Sequence, residues 1–543
     1  MTSTATHAVT NVETRGFYRG YNRGIAIAVK LIVVVLVLWA ATAPNAARAL
    51  SALQAATIDY FGGWYVGSSA LFMSTCIALA LLPMTGRKRL GQPGSQPEFS
   101  RFAWFSMMFG AGIGVGMLTY STAEPLYHFG NNPDVILGNA SALASNNVVY
   151  AYKWTLLHYG LTPWGCYAVV GLSLAYFSYR RGMPLTIRSP FSAVLGERAG
   201  TTTGALVDTA AILATLIGIA VTIGYGVNQF AYGVHRITDW QWLLSNREPS
   251  QLALIIAVAL IVFASMLSAL SGIGRGIKWL SNLNMLLSWL LLAAFVVFGA
   301  RAFAAMVFVE GISEYITALP DMSTTVWADE STKTQAALHT WQSNWSIFYW
   351  AWWIAFTPFV GLFLARVSRG RTIREYVLGA VIMPAVMCFT WFCIVGGTAL
   401  DLELSGIAGG SILEADLSAQ LFATLDALFE SPWVFPMACL CVVLLLTYLI
   451  TSADSAVLVV NTIVSGGTER GHSAQHIVLW SFLLGLMIVT LLVAGGLDAL
   501  RSVMIIGALP FSLVMFLMLM SLLLALWRDR DDDARECGTH QPG

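Results

Sequence analysis

Twelve apolar stretches recur along this chain, and they leave little sequence between them in which a water-soluble core could form. They lie at about 25–44, 62–84, 102–121, 148–178, 204–233, 250–271, 278–300, 343–367, 376–397, 433–455, 475–495 and 501–527, and about 20 apolar residues suffice for one helical span. Only 11% of the 543 residues are charged, against roughly 25% in soluble domains. The expected class is therefore an all-α polytopic membrane protein with 12 transmembrane helices, and a soluble enzyme is excluded. Zero net charge and the lack of a long basic tail argue against a nucleic-acid partner. Cys76, Cys166, Cys388, Cys393, Cys439, Cys441 and Cys537 have neither zinc-ligand nor paired-disulfide spacing and read as small core residues.

Arg15, Arg19 and Arg23 before the first stretch and Ala46-Ala47-Arg48-Ala49 after it sketch a signal peptide. Lys30 interrupts that stretch, however, and counting it as a span orders the charges. With the N-terminus inside, 21 of the 29 basic residues fall on inner segments. The outer segments keep only Arg48, Arg236, Arg247, Arg301, Lys333 and Arg501, while Lys30 and Lys153 lie within spans. Lys and Arg accumulate in cytoplasmic loops, so both termini are predicted to be cytoplasmic, in a bacterial-type inner membrane. Residues 303–319 and 416–430 alternate apolar and acidic positions at helical spacing and are expected as interfacial helices on the outer face.

Span three carries Gly110, Gly112, Gly114 and Gly116 at every second position. Close helix packing through small residues accounts for such glycines. A flexible, unwound segment whose carbonyls face a cavity accounts for them equally.

Span eight holds Trp345, Phe348, Tyr349, Trp350, Trp352, Trp353, Phe356 and Phe359. An interfacial aromatic belt would cluster at the ends of spans, whereas this run continues for about four turns toward the middle. Aromatic faces attract a methylated ammonium that has no N–H to donate. In span four Pro163 is expected to kink the helix, and Trp164 and Tyr167 share a face. With Trp353 these could form a cage if spans four and eight are neighbours.

Span ten ends in Thr451-Ser452-Ala453-Asp454-Ser455. Its hydroxyls either bond back to helix carbonyls or, with the span-three carbonyls, coordinate a hard cation such as Na⁺. Asp454 is a buried-acid suspect near the inner mouth. No His-Glu-x-x-His pattern, Walker loop, dinucleotide fingerprint or nucleophile elbow occurs.

Trp350-Ala351-Trp352-Trp353-Ile354-Ala355-Phe356-Thr357-Pro358-Phe359-Val360-Gly361, continuing through Arg366 to Arg369-Gly370-Arg371-Thr372-Ile373-Arg374-Glu375, closely resembles the signature of the betaine/choline/carnitine transporter family. The span-three glycines followed by Glu124-Pro125-Leu126, the pattern at His158–Trp164 and Thr451–Ser455 extend the resemblance over essentially the whole chain.

The resemblance implies a LeuT-type fold. Two inverted five-helix repeats, spans 3–7 (101–300) and 8–12 (343–527), would follow two extra spans (25–100). The remainder divides into an N-terminal tail (1–24), an external helix and loop (301–342) and a short acidic tail (528–543). It further implies a secondary transporter without cofactor, using Na⁺ as coupling ion, set in membrane lipid as a homotrimer and binding a small zwitterion. By position, the substrate cage is Tyr159, Trp164, Tyr167 and Trp353, with Trp350, Trp352 and Phe356 along the pathway. One sodium falls to Thr451 and Ser452, with backbone oxygens near Gly110, Ile113 and Tyr448. A second falls to Thr215 and Phe359.

Departures from the family pattern narrow this. Tyr159 and Phe356 replace tryptophans, which weakens the pull on a cation. Ile219 replaces the second threonine of the second sodium site, which argues against a two-sodium stoichiometry. Gly116 stands where choline-type members are acidic, which favours a zwitterion over choline. The expected activity is Na⁺-coupled import of glycine betaine or a related quaternary ammonium or sulfonium solute. The alternatives are a proton-coupled or exchange carrier for choline, carnitine, ectoine or taurine, and a sensor or channel that moves no substrate uphill.

Overall fold

The computed structural model describes residues 12–538 other than 93, 112–113, 197–200, 273–275, 277, 329 and 469–472. The long helices run in the order α1 (Arg23–Thr42), α2 (Ala46–Leu81), α3 (Arg101–Ala111), α4 (Val115–Gly130), α5 (Val148–Tyr159), α6 (Leu161–Ala175), α7 (Thr202–Thr238), α8 (Gln251–Ser271) and α9 (Lys278–Phe298). They continue with α10 (Arg301–Thr324), α11 (Lys333–Val367), α12 (Ile373–Leu404), α13 (Gln420–Leu428), α14 (Val434–Val464) and α15 (Ala474–Gly538). Ten helices among the described residues are long and apolar enough to cross a membrane.

The faces of these helices show which solvent surrounds them. On α1, Ile25, Ala26, Val29, Val33, Val37 and Ala40 recur at helical spacing and are buried. Leu31, Val35 and Leu38 on the opposite side are 60%, 56% and 58% exposed. A helix apolar on both sides, with one side uncovered, suits lipid and not water. This is a multi-pass membrane protein.

α7 runs through the middle, packed on α11, α14 and α15. α6 lies against α11, and small residues permit the approach: a Cβ on Gly361 would stand 2.6 Å from Val170 Cγ1 and 3.2 Å from the Gly171 nitrogen. The neighbourhood of spans four and eight, only assumed from sequence, is thus a direct helix contact.

Besides the interruption of α15 at Gly495 and Gly496, two helical runs in the first half of the chain are broken. α3 ends at Ala111 and α4 begins at Val115 after Gly114 in extended backbone. Gly112 and Ile113 lie outside the described residues, Gly110 is the penultimate residue of α3 and Gly116 the second of α4. The other break, between α5 and α6, falls at Gly160 (φ −93°, ψ −139°) and not at Pro163. Proline is the third residue of α6, where its missing N–H is one of the four that have no helical partner anyway. Glycine is required at 160 by crowding, because a Cβ there would lie 2.5 Å from the Tyr315 hydroxyl and 2.9 Å from Phe389.

The stretch 303–319 belongs to a longer helix than expected. α10 is itself one of the ten long apolar helices, burying Ala304, Val307, Gly311, Tyr315 and Leu319 against α5 and α12. The stretch 416–430 condenses to α13, whose Leu421, Phe422 and Leu425 are buried while Asp426 pairs with Arg236 at 2.7 Å.

Candidate functional site

The Gly160 break sets up the site by releasing backbone groups in the interior, where each needs a partner. The Leu161 N–H donates to the Tyr315 hydroxyl at 2.9 Å. The His158 carbonyl accepts from the Trp353 indole N–H at 2.9 Å. The second bond ties the loosened end of α5 to α11 and fixes the plane of the Trp353 ring.

Around that ring the chain collects aromatic side chains from three helices. Tyr159 stands edge-on to Trp353 with centroids 5.5 Å apart, and Tyr167 does so at 5.8 Å. Trp164 meets Tyr167 at 5.3 Å. Trp352 and Tyr349 stack with Trp353 at 6.0 Å each. Tyr159, Trp164 and Tyr167 are buried, whereas Trp353 is only half-buried. A Cβ on Gly116 would point into this group, 3.8 Å from both Trp352 and the Tyr159 hydroxyl. Trp352 is anchored by its N–H to Thr222 at 3.1 Å. Trp350 faces elsewhere, edge-on to His158 at 5.9 Å. Phe356 is half-buried and meets Phe359 edge-on at 6.2 Å.

The residues expected to hold sodium are distributed differently. Thr451 bonds back to the carbonyls of Thr447 and Tyr448 at 3.0 and 3.1 Å and accepts from Asn284 at 3.0 Å. The Tyr448 hydroxyl bonds Ser288 at 2.7 Å. Ser452 is half-buried, with no hydrogen-bond partner for its hydroxyl among the described residues. Gly110 sits on α3, which packs on α11 and α12. Thr215 is buried and bonds back to Ala211 at 2.8 Å. Asp454, suspected as a functional acid, accepts from Ser268 at 2.5 Å and Ser455 at 2.9 Å, a satisfied tie between α14 and α8.

A polar cluster that the sequence reading passed over adjoins the rings. Glu124 on α4 is fully buried. One of its oxygens accepts from His158 Nδ1 at 2.6 Å and lies 3.3 Å from His128 Nε2. The other accepts from the Tyr349 hydroxyl at 2.5 Å, and Tyr349 is itself 3.2 Å from the Tyr159 hydroxyl. The signal was partly available: His158 lies inside span four, where an ionisable residue is a functional suspect by default, while Glu124 and His128 lie just past the end of span three. The ligand atoms of all three lie within 4.8 Å of one another. The 2.6 Å contact is nonetheless a hydrogen bond, shorter than the roughly 3.3 Å that separates two ligands of one tetrahedral zinc with bonds near 2.0 Å.

A sequence profile described as betaine/carnitine/choline family transporter matches residues 25–531. The chain belongs to that family. It is 36% identical over 501 residues to the glycine betaine transporter OpuD of Bacillus subtilis, covering 92% of this chain and 93% of that one. It is 37% identical to the osmo-dependent choline transporter BetT2 of Acinetobacter baylyi, over 88% of this chain and 67% of that one. It is 33% identical to the ectoine/glycine betaine/proline transporter EctP of Corynebacterium glutamicum, over 93% and 80%. Members of the family are transporters and not enzymes.

Proposed function

We propose that this chain imports a betaine-like zwitterion by Na⁺ symport, with Tyr159, Trp164, Tyr167 and Trp353 receiving the quaternary ammonium head. The support is chemical. Such a head offers no hydrogen-bond donor, so aromatic faces are the side chains that suit it, and four of them converge where α5, α6 and α11 meet. At about 1 kcal/mol per ring the four together give about 4 kcal/mol, near a millimolar Kd. Tighter capture then draws on the substrate's carboxylate and on a bound ion. Gly116 leaves open an α4 position from which an acidic side chain would reach Trp352 and Tyr159, and a zwitterion that brings its own carboxylate has no need of one.

In the same reading the chain makes twelve spans. α3 with α4, and α5 with α6, each count as one broken span, α15 counts as two limbs divided where Gly495 and Gly496 leave the helical region, and α10 lies at the interface. Spans 3–7 and 8–12 are inverted repeats of a LeuT-type fold, three copies associate, and both termini face the cytoplasm. Sodium is held by Thr451 and Ser452 with carbonyls near Gly110, Ile113 and Tyr448. The Thr451 hydroxyl has two carbonyls and an amide to exchange for the ion.

Uptake of radiolabelled glycine betaine into proteoliposomes tests this. It is expected to saturate, to require inward Na⁺ and to accumulate substrate against its gradient. Unchanged uptake with K⁺ in place of Na⁺ overturns the symport, and equilibration without accumulation overturns the carrier. A thermal-shift panel of glycine betaine, choline, carnitine, ectoine, taurine and dimethylsulfoniopropionate, each with and without Na⁺, identifies the solute.

A further inference from the structure

The hydrogen bonds around Glu124 form one continuous chain that ends in the ring cluster. His158 places Nδ1 2.6 Å from one Glu124 oxygen and Nε2 3.0 Å from the Ser346 hydroxyl; with Nδ1 donating and Nε2 accepting it is a neutral imidazole. His128 faces Glu124 through Nε2, and its Nδ1 is buried with no partner. Tyr349 donates to the other carboxylate oxygen. With that proton committed, Tyr349 has a lone pair for the Tyr159 hydroxyl at 3.2 Å. With Tyr349, His158 and His128 all donating, three hydrogen bonds on one carboxyl group suit a carboxylate. Its charge then favours the Tyr159 O–H turned toward Tyr349 over its other acceptor, the Gly116 carbonyl at 3.4 Å.

No cation is paired with this charge among the described residues. Lys153, on the His158 helix, binds Asp134 at 2.9 Å and Glu314 at 3.5 Å. Arg501 caps the Asn344 carbonyl at 2.5 Å and lies over Phe348. Arg236 is spent on Asp426. Of the ionisable groups on helices packed against α4, Tyr152 donates to the Phe392 carbonyl at 3.3 Å, Glu403 accepts the backbone N–H groups of Gly410, Ile412 and Leu413, and Asp454 is held by Ser268. Tyr120 and Tyr225 face each other at 5.8 Å, and Cys393 is a buried neutral thiol. His128 also touches Trp341 at 5.4 Å, and Trp341 lines a cavity of about 320 Å³ with Tyr127, Asn131, Thr340 and Asn344.

We propose that Glu124, His128 and His158 form a proton-binding site, and that a proton there and the ammonium head of the substrate compete for the single buried negative charge of Glu124. This rests on reading the ring cluster as the ammonium site and adds a regulation of it. Glu124 is a positioning residue that acts through Tyr349 and Tyr159. A proton on His128 Nδ1 offsets the charge, and one on the carboxyl oxygen that faces Tyr349 removes it and frees Tyr349 to donate toward Tyr159. By linkage, substrate binding expels a proton, and affinity rises with pH through the cluster's titration.

The test is calorimetric titration of the purified full-length transporter with glycine betaine and with choline, in phosphate and in Tris, between pH 6 and pH 8. Kd is expected to fall by about three- to tenfold from pH 6 to pH 8, with a heat that differs between the buffers because a proton is released. Glu124→Gln should bind with little pH dependence and the same heat in both buffers. Tyr349→Phe keeps the carboxylate but cuts the chain, and should lower the proton release if Glu124→Gln does not fold. Binding with a buffer-independent heat and a flat pH profile in the unaltered protein overturns the proton site and leaves the ammonium site standing. No binding of either probe at any pH overturns the ammonium site itself.

Discussion

Trp353 is the residue on which the candidate site turns, since it contributes a ring face to the cluster and an N–H to the carbonyl exposed by the helix break. The two contributions separate by substitution. Trp353→Phe keeps a ring and loses the N–H, and uptake should survive with Kd raised about fivefold, the worth of about 1 kcal/mol. Trp353→Ala removes both and should abolish saturable uptake in the proteoliposome assay while the protein still reaches the membrane. If Trp353→Ala transports normally, the ammonium head binds elsewhere. The aromatic residues were legible in the sequence because their density in span eight exceeds what an interfacial belt needs. Glu124 was not, because its partners His158 and Tyr349 come from distant parts of the chain and meet only when α4, α5 and α11 pack. Asp454 drew attention as the acid beside two hydroxyls, yet its hydroxyl partners, Ser268 and Ser455, already satisfy it.

At the scale of the element, apolar period and length located the helices, whereas the breaks depended on contacts that local rules do not contain. Pro163 is the strongest helix breaker in its span by intrinsic cost, but in the first turn of α6 it costs little. Gly160 breaks the span because Tyr315 of α10 and Phe389 of α12 crowd it and Tyr315 takes up the freed N–H. Gly160→Ala should therefore destabilise the protein by about 1–3 kcal/mol through overpacking, read as a lowered unfolding temperature in detergent and as weakened substrate protection. Tyr315→Phe removes the hydroxyl that receives the Leu161 N–H, leaving a buried donor unpaired at a cost of about 1–3 kcal/mol. Either variant matching the parent's unfolding temperature would mean that the break is held by something other than these contacts. α10 shows the opposite limit: its acidic and apolar alternation suggested an interfacial helix, and its length and hydropathy also fit a span, so composition alone does not decide where it lies.

For the whole molecule, the apolar exteriors of α1, α8 and α9 establish the membrane, and the distribution of basic residues predicts the direction in which the chain enters it. Glu98, between α2 and α3, and Asn246, between α7 and α8, are both exposed and fall on opposite faces if the basic segments are cytoplasmic. The native thiols suit a labelling experiment: Cys76, Cys166, Cys388, Cys393 and Cys441 are buried, and Cys439 is partly so. In a Cys537→Ser background, Asn246→Cys should react with a membrane-impermeant maleimide on intact cells, and Glu98→Cys should react only after permeabilisation. The two sites are separated by α3 to α7, so opposite labelling requires an odd number of crossings between them. Five helices, each unbroken and crossing once, satisfy that requirement. Three spans, with α3–α4 and α5–α6 each bent across the bilayer as one, satisfy it equally. A third site at Ala144, in the loop between α4 and α5, separates these. Ala144→Cys labelled from outside makes α3 with α4 a single broken crossing, as the twelve-span arrangement requires, and labelling only after permeabilisation makes them two.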